Sequence, residues 1–307
     1  MKKESLLKGK TPLYKMRFKY GDINIWIKRD DLICFAGGGN KVRLYEYIVP
    51  LVKEIGAERI VTYGSQYSNF LRVTAAVCSF LKIGCDLIVL DEGPPNVGGN
   101  GTLLDLYDAN VIHCPISNAH DYIDEYQEKL NKEKVRYMWI PGGGHIPEAA
   151  FGYVDAAYEI MKQADELGVS FDATFLPCGT GTTQAGLIYG MHNKMDIYGI
   201  SVARTKEKCV EEITKTLSEM ASFGKCDADI GNVNVLYDKR TRYGESTEQI
   251  IDISKKVAKS DGIFLDPIYN ARAFCGMIEH LSFKESEGYQ NVLYINTGGQ
   301  PNIYLKG

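Results

Sequence analysis

Short apolar segments that end in glycine or proline alternate with longer segments of helical spacing along most of the chain, and this alternation constrains the fold more than any other feature. RIVTYG at 59–64 precedes a helical pattern over 69–81, CDLIVL at 85–90 precedes another over 102–107, and NVIHCP at 110–115 precedes a polar one over 119–133. YMWIPGGG at 137–144 leads into a long pattern over 147–167, where Phe151, Val154, Ala157, Tyr158 and Met161 recur at helical spacing. ATFLPCGTG at 173–181, DIYGISVA at 196–203 and NVLYINTGG at 291–299 continue the series, with helices running through Ile188 and over 206–220. Such alternation predicts an α/β protein built on parallel sheet. Open sheets of this kind bind ligands at the carboxyl ends of their strands, where the glycines of these segments fall.

With 307 residues, 45% of them hydrophobic, the chain can form one large domain or two ordinary ones, which excludes a small disulfide scaffold or a disordered chain. A net charge of -4, with lysines scattered among acids, provides no basic field for nucleic acid or an anionic membrane. The expected ligand is a small molecule. The basic start is interrupted at Pro12 with no apolar run, so neither a signal peptide nor an anchor is expected. Eight dispersed cysteines without a C-x-x-C pair fit free buried thiols and a reduced, cytoplasmic interior. GPPNVGGNG at 93–101 is expected to be a plain connection.

Four glycine-containing loops carry the chemistry: AGGGNK at 36–41, GSQYSN at 64–69, CGTGTTQAG at 178–186 and NTGGQP at 296–301. None has the spacing of a dinucleotide or P-loop fingerprint. Gly179, Thr180, Gly181, Thr182 and Thr183 lie between an apolar strand and a helix, so their N–H groups and hydroxyls suit a phosphate dianion, although a tight turn would have the same composition. Lys41 opens a helical pattern, at the end where the helix dipole disfavours a cation. A lysine kept there against the dipole is suited to a nucleophilic role, provided burial favours its neutral form.

IWIKRDDL at 25–32, AGGGNKVRLYEY at 36–47, YSN at 67–69, TGTTQAG at 180–186, GISVAR at 199–204, LDPIYNARAFCGM at 265–277 and NTGG at 296–299 occur in one order. That order resembles the family of D-cysteine desulfhydrase and 1-aminocyclopropane-1-carboxylate (ACC) deaminase, from Thr11 nearly to the C-terminus. The resemblance implies a pyridoxal 5'-phosphate (PLP) enzyme of the tryptophan-synthase-β-like fold (fold type II), with two open twisted sheets flanked by helices. It further implies a large cofactor-binding domain of residues 1–43 and 157–307, a small domain of residues 44–156, and a homodimer. Lys41 would hold the cofactor and move protons, Asn69 would bond its phenolic oxygen, and Ser68 would hold the substrate carboxylate. Residues Gly179, Thr180, Gly181, Thr182 and Thr183 would bind the phosphate, Tyr269 would lie against the pyridine ring or reach substrate, and Thr297 would meet the pyridine nitrogen.

At two positions the chain departs from ACC deaminases, with Asn270 where they carry glutamate and Thr297 where they carry leucine. A hydroxyl leaves the pyridine a shallower electron sink than a carboxylate would, which disfavours cyclopropane opening and favours β-elimination. Tyr67 and Phe70 replace the family's polar residues around the serine, so a remodelled substrate pocket is expected. β-Replacement, ACC deamination and non-catalytic PLP binding remain open at this point, since fold does not settle function. His145 is read as a helix cap or a substrate contact, and Tyr45, Tyr47 and Tyr63 as core or interface residues. His113, His120, His192 and His280 lack metal-ligand spacing, so no metal site is expected.

Overall fold

The computed structural model describes residues 1–91, 98–223, 231–237, 242–283 and 286–304. Residues 93–97 of the segment expected as a plain connection lie outside these.

Among the described residues ten strands form two sheets. The six-stranded sheet has the order β1 (Leu13–Tyr20), β2 (Ile23–Arg29), β10 (Asn291–Asn296), β7 (Ala173–Cys178), β8 (Asp196–Ser201) and β9 (Asn234–Tyr237). The four-stranded sheet has the order β5 (Asn110–Cys114), β4 (Gly84–Leu90), β3 (Arg59–Gly64) and β6 (Tyr137–Ile140). Among the described residues only β1 with β2 is antiparallel, and the other strand pairs are parallel. The α/β fold with two sheets flanked by helices is therefore as the motif order implied.

Helices α1 (Asn40–Glu54), α2 (Asn69–Leu81), α3 (Gly99–Asp105), α4 (Ala119–Lys132) and α5 (Pro147–Leu167) alternate with the strands of the smaller sheet. Helices α6 (Thr182–Met191), α7 (Lys206–Ser222), α8 (Glu248–Asp261) and α9 (Asn270–His280) accompany the larger one. The helix expected over 102–107 begins earlier, at Gly99, because Asn100 is buried and held there by hydrogen bonds. The hairpin of β1 and β2 escaped the apolar-run criterion because LYKMRFKY is an edge strand whose exposed positions, Tyr14, Lys15, Arg17 and Lys19, interrupt any apolar run. Helix α6 is buried along its whole length, so it shows no amphipathic stripe.

Buried charges join the layers. Lys28 on β2 meets Glu159 on α5, and donates to Gln163 Oε1 at 2.6 Å and to the Thr11 carbonyl at 2.8 Å. Arg43 on α1 donates to both oxygens of Asp30 at 2.9 Å, and to Glu159 Oε2 at 3.1 Å. Burial opposes ionisation of Asp30, yet the guanidinium of Arg43 holds its carboxyl below the usual range. Among the described residues no helix is long and apolar enough to cross a membrane.

Candidate active site

Parallel strands deliver their carboxyl ends to one edge, and the loops that leave β3, β6, β7, β8 and β10 enclose a cleft of about 340 Å³. The N-termini of α1, α2 and α6 open onto it through Asn40, Asn69 and Thr183. Unsatisfied amides and helix dipoles give such a place a positive potential. Among the described residues that line it there is no aspartate or glutamate, whereas Lys41 and Arg204 are there. The cleft is thus suited to anions.

Lys41 is the second residue of α1, and its Nζ donates to the carbonyl of Gly143 at 2.9 Å. Burial lowers its pKa to about 8, with no carboxylate to oppose the effect. A substantial neutral fraction near neutrality is what a nucleophilic amine requires. The loop before it is fixed by Asn40, whose backbone N–H donates to the Thr297 carbonyl at 2.9 Å and whose Nδ2 donates to Thr183 Oγ1 at 2.9 Å. Gly39, at φ 103°, passes so close to β10 that a Cβ would lie 2.8 Å from the Thr297 carbonyl oxygen. Only glycine combines that backbone conformation with that approach.

At the other end, Gly179, Thr180, Gly181 and Thr183 line the cleft in front of α6. Gly181 adopts φ 92°, and a Cβ there would come within 2.6 Å of Ile213 on α7. Arg204, after β8, has a buried Nη1 without a hydrogen-bond partner, with Glu212 Oε1 at 3.8 Å. An orphaned guanidinium nitrogen beside free helix N-terminal amides fits a phosphate group. The Thr182 side chain turns elsewhere: its Oγ1 lies 3.0 Å from His145 Nδ1. His145 Nε2 meets Glu212 Oε2 at 2.9 Å, so His145 buttresses the loop, and the N-cap of α5 is Ile146 instead.

Ser68 caps α2 by accepting the Leu71 N–H at 3.4 Å, and Ser68 and Asn69 both line the cleft. Asn69 Oδ1 accepts from Asn100 Nδ2 at 3.0 Å. Phe70 lines the cleft and stacks on Tyr45 with centroids 5.3 Å apart. Tyr67 is not among the lining residues; its ring packs on Tyr243 at 6.1 Å. Tyr63, expected in core or interface, lines the cleft and stacks on Trp139.

Tyr243 escaped the sequence reading because RYGEST shows neither periodicity nor a glycine-rich strand end. In the structure its hydroxyl bonds the Tyr269 hydroxyl and lies 3.0 Å from Ser65 Oγ, joining both sides of the cleft. Burial raises the pKa of both tyrosines, so their hydroxyls are neutral. Thr297 also lines the cleft, and its N–H donates to Asn270 Oδ1 at 3.0 Å. Asn270 Nδ2 in turn donates to the Gly298 carbonyl at 2.6 Å and to Asp266 Oδ1 at 2.9 Å. Asp266 is fully buried, which pushes its carboxyl up to about 6 against the hydrogen bonds it accepts.

The site therefore gathers Lys41, Ser68, Asn69, the 179–183 loop, Tyr269 and Thr297 around one cleft. The sequence model of the family described as pyridoxal-phosphate dependent enzyme matches residues 4–298. A D-cysteine desulfhydrase of Klebsiella pneumoniae (strain 342) is 31% identical over 295 residues, covering 91% of this chain and 88% of the relative. The crystal structure of an ACC deaminase homologue superimposes with a TM-score of 0.90 at 29% identity, covering 98% of this chain and 93% of the other. A hydrogen sulfide-producing enzyme from Fusobacterium nucleatum shares the fold, with a TM-score of 0.66 at 16% identity over 95% of this chain and 96% of the other.

Proposed function

The chain belongs to the family of pyridoxal-phosphate dependent enzymes, and from that premise we propose that it catalyses β-elimination on a small β-substituted amino acid. D-cysteine is the simplest such substrate, and with one water it yields pyruvate, ammonia and sulfide. Bound PLP supplies the electron sink that stabilises the carbanion left when the α-proton departs.

In this reading Lys41 is the residue that would hold the cofactor, and its Nζ would be the base that takes the α-proton from the substrate. Its depressed pKa of about 8 lets one group serve both as nucleophile and as base. The amides of residues 179–183 and Arg204 would hold the phosphate, and Asn69 would meet the phenolic oxygen. Ser68 and the N-terminus of α2 hold the substrate carboxylate. Tyr269, with Tyr243 bonded to it, closes the cleft on the substrate side and places a neutral hydroxyl there.

The observation that supports the choice of elimination is that the described residues lining the cleft include Thr297 and no carboxylate; by the family resemblance Thr297 would meet the ring nitrogen. A neutral hydroxyl does not hold that nitrogen protonated. Less charge is then stored on the ring, which suits a reaction whose electrons leave with the Cβ substituent. The name of the Klebsiella relative supports the choice of D-cysteine. The test compares products under one set of conditions: pyruvate from D-cysteine or β-chloro-D-alanine, and 2-oxobutyrate from ACC. Pyruvate formation is expected to be faster by at least about 100-fold, a difference of about 3 kcal/mol in barrier. Comparable turnover of ACC would overturn the argument from the ring nitrogen.

A further inference from the structure

Behind Asn69 lies a buried polar chain that the proposed reaction does not use. Arg72 on α2 is fully buried, and burial without a neighbouring carboxylate lowers its pKa to about 10, so it is a cation at neutral pH. Its Nε donates to Asn100 Oδ1 at 2.9 Å, and its Nη2 donates to the Gly38 carbonyl at 3.1 Å in the loop that leads to Lys41. Asn100 Nδ2 faces three oxygens: the Tyr67 carbonyl at 3.0 Å, Asn69 Oδ1 at 3.0 Å and Asn302 Oδ1 at 3.2 Å.

A side-chain amide can in principle sit either way round, but here neither end of Asn100 has a choice. A guanidinium only donates, so the atom of Asn100 that faces Arg72 must be its oxygen. A carbonyl only accepts, so the atom that faces Tyr67 must be the amide nitrogen. The Asn69 atom that faces this nitrogen must then be an acceptor. We infer that Arg72 and Asn100 are positioning residues, a one-way relay of hydrogen-bond polarity that turns the Nδ2 donor of Asn69 into the cleft and toward the cofactor's phenolic oxygen. The inference rests on the reading of Asn69 given above. A reversed Asn69 amide would set its nitrogen against that of Asn100, donor against donor, and the two would repel.

A donor aimed at the phenolic oxygen stabilises its anionic form and so lowers the pH at which the lysine-bound cofactor loses its proton. That pH is read from the visible absorption band of the purified holoenzyme, independently of turnover. Asn69→Ala, which removes the donor, is expected to raise the midpoint by about one unit. Asn100→Asp keeps a partner for Arg72 but offers acceptors only, so Asn69 must turn its own donor away from the cleft. The midpoint is then expected to rise at least as far as in Asn69→Ala. In the double variant, where no amide remains to turn, Asn100→Asp is expected to add nothing. Arg72→Gln, whose amide can accept as well as donate, removes one of the two constraints on Asn100 and leaves only the Tyr67 carbonyl, so it is expected to shift the midpoint in the same direction by less. It provides the same test should Asn100→Asp fail to fold. If Asn69→Ala shifts the midpoint while both Asn100→Asp and Arg72→Gln titrate like the parent, the relay is wrong. If Asn69→Ala itself titrates like the parent, the reading of Asn69 on which the relay rests is wrong.

Discussion

Lys41 shows how a single residue acquires a chemistry from its surroundings. Its amine lies at the N-terminal end of α1, contacts a carbonyl and has no carboxylate partner, and burial brings its pKa to about 8. The sign is that of a depressed base: below this value the amine is protonated and unreactive, and above it the amine is free to attack. Capture of PLP by the apoprotein, followed as growth of the visible band, is therefore expected to accelerate between about pH 7 and 9, with a midpoint near 8. A midpoint near that of an exposed lysine, about 10.4, would show that the amine is not desolvated. The mismatch with the helix dipole made this residue visible in the sequence. Asn100 and Asp266 were not visible, because their roles arise from what they touch across the fold and neither stands in a local pattern.

At the scale of elements, the strands and helices of RIVTYG and its successors were legible because each apolar run ends in a turn signal. Helices α8 and α9 were not anticipated as elements: α8 is two-thirds polar, and α9 lay inside a segment noticed only for its motif. The phosphate loop was legible as composition, while the direction of the Thr182 side chain was not, since it depends on His145 from another loop. Gly181 joins this loop to α7 at φ 92°, with Ile213 where a Cβ would go. Gly181→Val is expected to destabilise the fold by about 1–3 kcal/mol, from backbone strain and overpacking. Because the same distortion turns amides away from the anion, cofactor retention after dialysis is expected to fall by about tenfold or more. A variant with full occupancy would place the phosphate elsewhere.

In the whole molecule, the cleft keeps its shape because the sheets and helices around it are tied by buried charge. Arg43 joins α1, which carries Lys41, to Asp30 after β2 and Glu159 on α5. Arg43→Met strands Asp30 in the interior and is expected to cost about 3–5 kcal/mol at pH 7, measured by denaturant unfolding. Asp30 is held below its unfolded value, so its contribution is present above roughly pH 4 and is lost as pH falls through the lower folded value. The deficit of the variant is therefore expected to shrink below about pH 4; a deficit independent of pH would assign the loss to packing. The same network also distinguishes Lys28 from Lys41. Lys28 is committed to Glu159, Gln163 and the Thr11 carbonyl, whereas Lys41 faces the cleft. The most direct measurement is borohydride reduction of the purified holoenzyme followed by peptide mapping. Loss of the visible band with the label on the peptide that contains Lys41 is the predicted result, and label on Lys28 or any other lysine would contradict the account.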